Sequence, residues 1–174
     1  MHDLKYAPEV EVRRAEASQA QTVYNLLQIY LHHFASLSKP EDDEWRFNAI
    51  GQLDYPDFNS YWNHKRRHPY LIYAGGQLAG FALVNNGSAS GEPVEFFMQE
   101  FFIGGKYRGR GIGADAARRI IRHHPGQWEL GTVPGNEQAN DFWRKALAVP
   151  DIKNMEQFPG DGYRWKGAIF RFSA

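Results

Sequence analysis

The chain has 174 residues, of which 43% are apolar and 23% charged, and its 20 Lys and Arg balance its 20 Asp and Glu. Such a length suits one domain, residues 1–174, with enough mass for a core, and a formal net charge of zero gives no general attraction to nucleic acid or to an anionic membrane. The absence of cysteine excludes a disulfide framework, a thiolate–zinc site and a Cys nucleophile. The start, Met1 to Tyr6, lacks the apolar stretch of a signal peptide. No run approaches the ~20 apolar residues of a membrane span. These features point to a cytoplasmic protein.

Val10 to Arg13 alternates apolar and polar and predicts a first strand. Ser18 is placed to cap a helix whose apolar face carries Val23, Leu26, Leu27, Tyr30, Leu31 and Phe34, ending near Ser36. Residues 37–56 are polar, hold Pro40 and Pro56, and predict a long loop; its acidic run Glu41-Asp42-Asp43-Glu44 suits a solvated loop better than a cation site. Residues 57–67 predict a second helix, stopped by His68-Pro69. Tyr70 to Ala74 and Leu78 to Val84 flank Gly75-Gly76-Gln77 and predict a hairpin. A turn region, Asn86 to Pro93, leads into a long strand over 94–103. A glycine-rich stretch and a helix with Ile112, Ala116, Ala117, Ile120 and Ile121 on one face follow, closed by Pro125-Gly126. Trp128 to Thr132 predicts a strand, and Pro134-Gly135-Asn136 opens a helix with Ala139, Phe142, Trp143, Ala146 and Leu147 on one face. A final hairpin joins Ile152–Phe158 to Tyr163–Phe172. The expected order is β-α-α-β-β-β-α-β-α-β-β, a mixed α/β domain without repeats.

The chemistry concentrates in Arg108-Gly109-Arg110-Gly111-Ile112-Gly113. Glycines there permit positive φ and close approach of a ligand to the backbone. The helix that follows offers unpaired N–H groups and the positive end of its dipole. Together with the arginines, this is a phosphate site. A plain helix-initiating turn leaves three glycines and two arginines in six residues unexplained. A P-loop is excluded, because no Gly-Lys-Ser/Thr follows. A dinucleotide fingerprint fits formally, since Gly109 to Ala114 satisfies G-x-G-x-x-A and Glu129 lies ~20 residues on, where a ribose-binding acid would sit. Against it, Gly104 to Arg108 separate the strand from the first glycine, and the about 45 residues after Glu129 are too few to complete a doubly wound sheet.

Arg108 to Gly113 also resembles the Q/R-x-x-G-x-G/A signature of the GNAT superfamily of N-acetyltransferases, and Phe101 to Tyr107 resembles that family's strand and bulged turn. Asn136 to Trp143 is similar to a second family element, N-x-x-A-x-x-F-Y. The pair in this order, with a strand between, is more specific than either alone. The resemblance implies a single-domain GNAT fold, a mixed central sheet with a bulged fourth strand flanked by helices. It implies acetyl-CoA as cosubstrate, with its pyrophosphate on the backbone of Arg108, Gly109, Arg110, Gly111, Ile112 and Gly113. A side chain at Gly111 or Gly113 would obstruct that approach. The pantetheine arm would lie along Phe101, Phe102 and Ile103, with Asn136, Phe142 and Trp143 on its far side.

Acyl transfer to an amine needs a neutral nucleophile, and an ammonium of pKa near ~10.4 must first lose a proton. Glu100 is the candidate base; the Phe residues around it make the strand look buried on both faces, where a charge asks for a reason. Many relatives carry a tyrosine as general acid where this chain has Trp143, which cannot supply that proton. Either a thiolate leaving group of pKa about 8.5 needs no acid, or Tyr163 or a water serves, or the fold is a non-catalytic acyl-CoA-binding or regulatory module. Adjacent histidines, His32-His33 and His123-His124, do not preform a metal site on a helix, so no metal is expected. Tyr61, Trp62, His64 and Tyr73 are candidates to wall a pocket for the acceptor, a small-molecule amine or a peptide amine. Acyl-chain length, acceptor identity and a homodimer stay open at this point.

Overall fold

A computed structural model describes residues 8–39 and 45–174; Met1 to Tyr6 and the acidic run Glu41 to Glu44 lie outside the described residues. The elements are β1 (Val10–Arg14), α1 (Ala20–Ala35), α2 (Ser60–Asn63), β2 (His68–Ala74), β3 (Gln77–Asn85), β4 (Phe96–Ile103), α3 (Ile112–Arg122), β5 (Gln127–Gly131), α4 (Glu137–Leu147), β6 (Lys153–Pro159) and β7 (Ala168–Ser173). Their order is the one that apolar periodicity predicts. All seven strands join one sheet in the order β1-β2-β3-β4-β5-β7-β6. Every neighbouring pair is antiparallel except β4 and β5, which run parallel across the α3 crossover.

Two apolar layers sandwich the sheet. On one face Ile112, Ala116, Ala117, Ile120 and Ile121 of α3 and Trp143, Ala146 and Leu147 of α4 pack on Ile72, Val84, Met98, Trp128 and Phe170. On the other, Val23, Leu27 and Leu31 of α1, with Leu53, Phe58 and Tyr61, pack on Leu71, Phe81, Leu83 and Phe102. Each fully buried Val, Leu, Ile, Phe or Met among them contributes about 1.5–3 kcal/mol over its exposed state.

Four local expectations are corrected. Ser18 does not cap α1: it lies in a 3-10 turn, Ala17–Gln19, whose Gln19 side chain accepts from the Glu16 N–H at 3.0 Å. The helix expected over 57–67 is a single turn, because Asp57 has φ of 60° and His64 is extended. Asn59, Ser60 and Asn63 also have weak helix propensity. Finally, β4 begins at Phe96 rather than 94, and the last hairpin closes through a longer connection, since β7 begins only at Ala168.

Candidate active site

The middle of the sheet opens where β4 and β5 part. They pair only through Phe96↔Trp128, Phe97↔Glu129 and Met98↔Leu130, and beyond Met98 β4 is paired on the β3 side alone. Gly104 N–H donates to the Ala79 carbonyl at 2.8 Å. Antiparallel alternation therefore turns the backbone groups of Phe102 and Glu100 toward β3, and those of Phe101 and Ile103 toward the gap. Gly104 is followed by a 3-10 turn, Gly105–Tyr107, and the Arg108 side chain folds back so that its Nε donates to the Ile103 carbonyl at 2.7 Å.

A bulge changes which face the strand residues use. Leu83 pairs with Glu100 and Val84 with Met98, so Gln99 is the extra residue of β4. Met98, Phe101 and Ile103 belong to the α3/α4 side, whereas Phe102 belongs to the α1 side. Without the extra residue Glu100 would share the Met98 face; with it, the carboxylate meets Tyr30 of α1 and Tyr55. The Tyr55 hydroxyl donates to Glu100 Oε1 at 2.9 Å. Burial pushes the Glu100 carboxyl up to about 7, against the hydrogen bonds from Tyr30, Tyr55 and Gln99, which favour the ionised form. The same burial, with the Glu100 charge beside them, raises both phenols, so Tyr30 and Tyr55 stay protonated donors.

Tyr55 is held in place from α1. The Gln28 side chain donates to the Leu53 carbonyl and accepts from the Leu53 N–H, both at 2.8 Å, docking the loop before Tyr55 as a strand neighbour would. Beside Glu100 lies an open cleft of about 470 Å³, whose walls include Tyr55, Asp57, Tyr61, Arg67, Asn85 and Gln99. That is within the ~300–1,000 Å³ of small-molecule sites. Asn85 Nδ2 donates to the Tyr61 hydroxyl and to Gln99 Oε1, each at 3.1 Å, and its Oδ1 accepts from Gly87 N–H. Of the aromatic and His residues expected around the acceptor, Tyr61 lines this cleft. Trp62 instead bonds the Ala15 carbonyl, Tyr73 lies under Arg13, and His64 is exposed. Tyr30, Tyr55, Arg67, Asn85 and Gln99 were not foreseen from the sequence.

The phosphate site expected at the glycine turn has the required shape. Gly109 and Gly111 sit at φ of 72° and 78°, and a Cβ at either would meet nothing within 4 Å, so the backbone faces open space. Among the described residues none accepts from the N–H groups of residues 109–114; the first bond of α3 runs from Asp115 N–H to the Gly111 carbonyl. The dipole of this 11-residue helix adds positive potential there. Gly113 differs: a Cβ would stand 3.2 Å from the Phe142 ring and 3.4 Å from Ile103, so its missing side chain serves the packing of α3 on α4 and β4.

Across the gap, Phe142 stacks on Phe101 at 5.8 Å, and Trp143 stands edge-on to Phe101 at 5.3 Å, only 6% exposed. Asn136 caps α4 by accepting from Ala139 N–H at 3.1 Å. Tyr163 is 89% exposed. Glu129 is bound by the N–H groups of Ala89 and Ser90, the hydroxyls of Ser88 and Ser90, and Arg171, which leaves a ribose no place on it. Among the described residues there is no group of three or more His, Cys, Asp or Glu that could hold a metal, and no helix long and apolar enough to cross a membrane.

Comparison with known proteins agrees with this geometry. Residues 24–148 match the family model described as the acetyltransferase (GNAT) family. Among solved structures, an acetyltransferase from Thermus thermophilus superposes with a TM-score of 0.64 at 16% identity, covering 96% of this chain and 97% of that one. The PaiA N-acetyltransferase from Thermoplasma acidophilum, in complex with coenzyme A, gives 0.60 at 12% identity, with 95% and 99% covered. The diaminobutyrate acetyltransferase EctA from Paenibacillus lautus, in complex with L-2,4-diaminobutyric acid and coenzyme A, gives 0.57 at 15% identity, with 95% of each chain covered. At such identities the likeness is one of fold. A search of curated proteins finds no match.

Proposed function

Because the chain belongs to the acetyltransferase (GNAT) family, we propose that it transfers an acetyl group from acetyl-CoA to a primary amine by direct attack, with residues 1–174 acting as one domain. The observation that carries this reading is Glu100: a carboxyl raised to about 7, bonded by Tyr55, which itself lines an open cleft, on the strand beside the sheet opening. A base near neutrality is ionised often enough to accept a proton and basic enough to hold it.

The N–H groups of residues 109–114 and the Arg110 side chain would hold the pyrophosphate. Phe101 and the Ile103 N–H present backbone without a strand partner toward the gap, the Ile103 carbonyl being taken by Arg108, and an extended arm can bond there as a strand does. Phe101, Phe142 and Asn136 border that channel; Trp143 lies behind them as packing. When bound, acetyl-CoA supplies the activated acyl group as a thioester. Glu100 takes the proton from the incoming ammonium, directly or through a water. The N–H groups of Phe101 and Ile103 are the donors available to a developing oxyanion. A thiolate of pKa about 8.5 leaves without help from a tyrosine, so Trp143 at this position is compatible with catalysis and needs no loss of function to explain it.

The test is thiol release from acetyl-CoA over a broad amine panel, with wild type and Glu100→Gln side by side. Release by the wild type, its loss in the variant, and an equal rise of melting temperature with acetyl-CoA in both are expected. Stabilisation by NAD but by no CoA ester would sink the reading. Release that never exceeds background would favour a module that binds acyl-CoA without turnover.

A further inference from the structure

The cleft beside Glu100 carries two charged side chains among its walls, Asp57 and Arg67, and they are of opposite sign. Arg67 is fixed from both ends. Its carbonyl accepts from Arg14 Nη2 at 2.7 Å, and its guanidinium lies 5.4 Å from the centre of the Tyr61 ring, where its charge favours the ionised phenol. Its neighbour Arg14 spends its donors on His68 and on the Arg67 carbonyl and does not line the cleft. Arg67 has no carboxylate partner among the described residues. A half-buried guanidinium beside an aromatic ring, lining a cleft and carrying no carboxylate, is the side chain suited to a planar two-oxygen anion.

The position relative to the base matters as much. From Arg67 a continuous run of polar groups leads through the Tyr61 hydroxyl, Asn85 and Gln99 to Glu100. The cleft therefore has a cation on its wall at one end and, at the other, Tyr55 and Gln99, the residues that bond the proton acceptor Glu100. Asp57, on the rim, adds a negative charge and stands at φ of 60°, a backbone state uncommon outside glycine. A phosphate dianion would leave this balanced pair with excess negative charge beside Glu100. A zwitterion would not.

We propose that the acceptor is a small amino acid, its carboxylate held by Arg67 and its reacting amine delivered to Glu100. This rests on the acetyltransferase reading above and narrows its acceptor class. It also separates this cleft from one for peptide termini, whose α-carboxyl is tied up in an amide.

Matched pairs that differ only in the carboxylate test it: L-ornithine against putrescine, and L-lysine against cadaverine. Thiol release gives kcat/KM for each, and calorimetry on the CoA-saturated protein gives binding independent of turnover. The acid member of each pair should be preferred about tenfold to a hundredfold, the range of one charge-assisted pair. In Arg67→Gln that preference should collapse, mainly through KM, and Arg67→Lys, which keeps the charge but not the fork, should fall between. Should Arg67→Gln fail to fold, the Arg67→Lys ratio decides alone. Diamines used as well as their amino acids, with release well above background, would overturn the acceptor assignment and leave the acetyltransferase reading standing. A preference that survives in both Arg67 variants would overturn the role of Arg67. Release with no amine at all would overturn both.

Discussion

Two glutamates on neighbouring strands meet opposite fates. Glu129 of β5 is fully buried; burial pushes its carboxyl up, but hydrogen bonds from Ser90 and Arg171 outweigh it and hold it below the usual carboxylate range. Its oxygens are taken by Arg171, two serine hydroxyls and two backbone N–H groups. Glu100 of β4 has phenol and amide donors but no cation, and burial prevails. The difference is a full donor set, led by Ser90, together with one arginine. A carboxylate with a cation and a full set of donors is locked in its charged form and pins the loop 88–90 to the sheet. A carboxylate with neutral donors only is left near neutrality, able to exchange a proton.

The largest effect expected is on turnover. Glu100→Gln should lower kcat/KM by about 10²–10⁴-fold, the usual worth of a general base, without loss of thermal stability. Glu129→Gln should do the reverse. It strands Arg171 and turns one oxygen into a donor facing other donors, which should cost about 2–4 kcal/mol of stability. The lower half of that range is favoured because the Arg171 side chain keeps 30% exposure. Chemical denaturation of both variants beside the kinetics checks the pair, and a Glu129 variant as stable as wild type would break the contrast.

The pH responses should also oppose. Glu100 is raised from 4.5 to about 7 in the folded state, so the folded protein holds a proton that the unfolded chain has lost. Its contribution to stability is full below about 4.5 and falls as pH rises toward 7. Glu129 is lowered, so its contribution is present above the ordinary value and is lost as pH falls through the folded one. His68 and His124, both lowered to about 4, pull the wild-type curve the other way, so the difference isolates Glu100: the melting temperature of Glu100→Gln minus that of the wild type should rise with pH between about 4.5 and 7. Over the same window kcat/KM of the wild type should climb with an apparent pKa near 7, and that limb should vanish in the variant.

Much of this arrangement was legible in the residues. Gly75-Gly76 between two apolar runs gave the hairpin, both glycines having positive φ, and the glycine–arginine stretch before an amphipathic run located the turn into α3. Glu100 stood out as a charge among four phenylalanines. What surrounds it was not legible, because its neighbours come from far along the chain. Tyr30 fitted the apolar face of α1 and passed for core. Tyr55 sat in a stretch with no periodicity, and the Gln28 clamp that docks it is two side-chain hydrogen bonds with no sequence signature. The bulge at Gln99 is invisible to a period-two count, yet it decides which face Glu100 uses. The residues predict a second helix that runs up to the His68-Pro69 stop, whereas the positive φ of Asp57 and the extended His64, neither visible in the residue types, confine it to one turn.

Tyr55→Phe probes the contrast most gently. Removing its hydroxyl takes one stabilising hydrogen bond from the charged form of Glu100 and leaves the ring to exclude water. The carboxyl should therefore rise further, the opposite of what adding a cation would do. A hydrogen bond to a carboxylate is worth about 1.5–3 kcal/mol, against about 0.5–1.5 kcal/mol to the neutral acid, so the activity limb should move up by roughly 0.7–1.1 pH units. If Glu100 is the base, activity at pH 6 falls more than activity at pH 9, where the carboxylate is ionised either way. A uniform loss at all pH values would instead assign Tyr55 to holding the acceptor, and an unmoved limb would remove Glu100 from the titration.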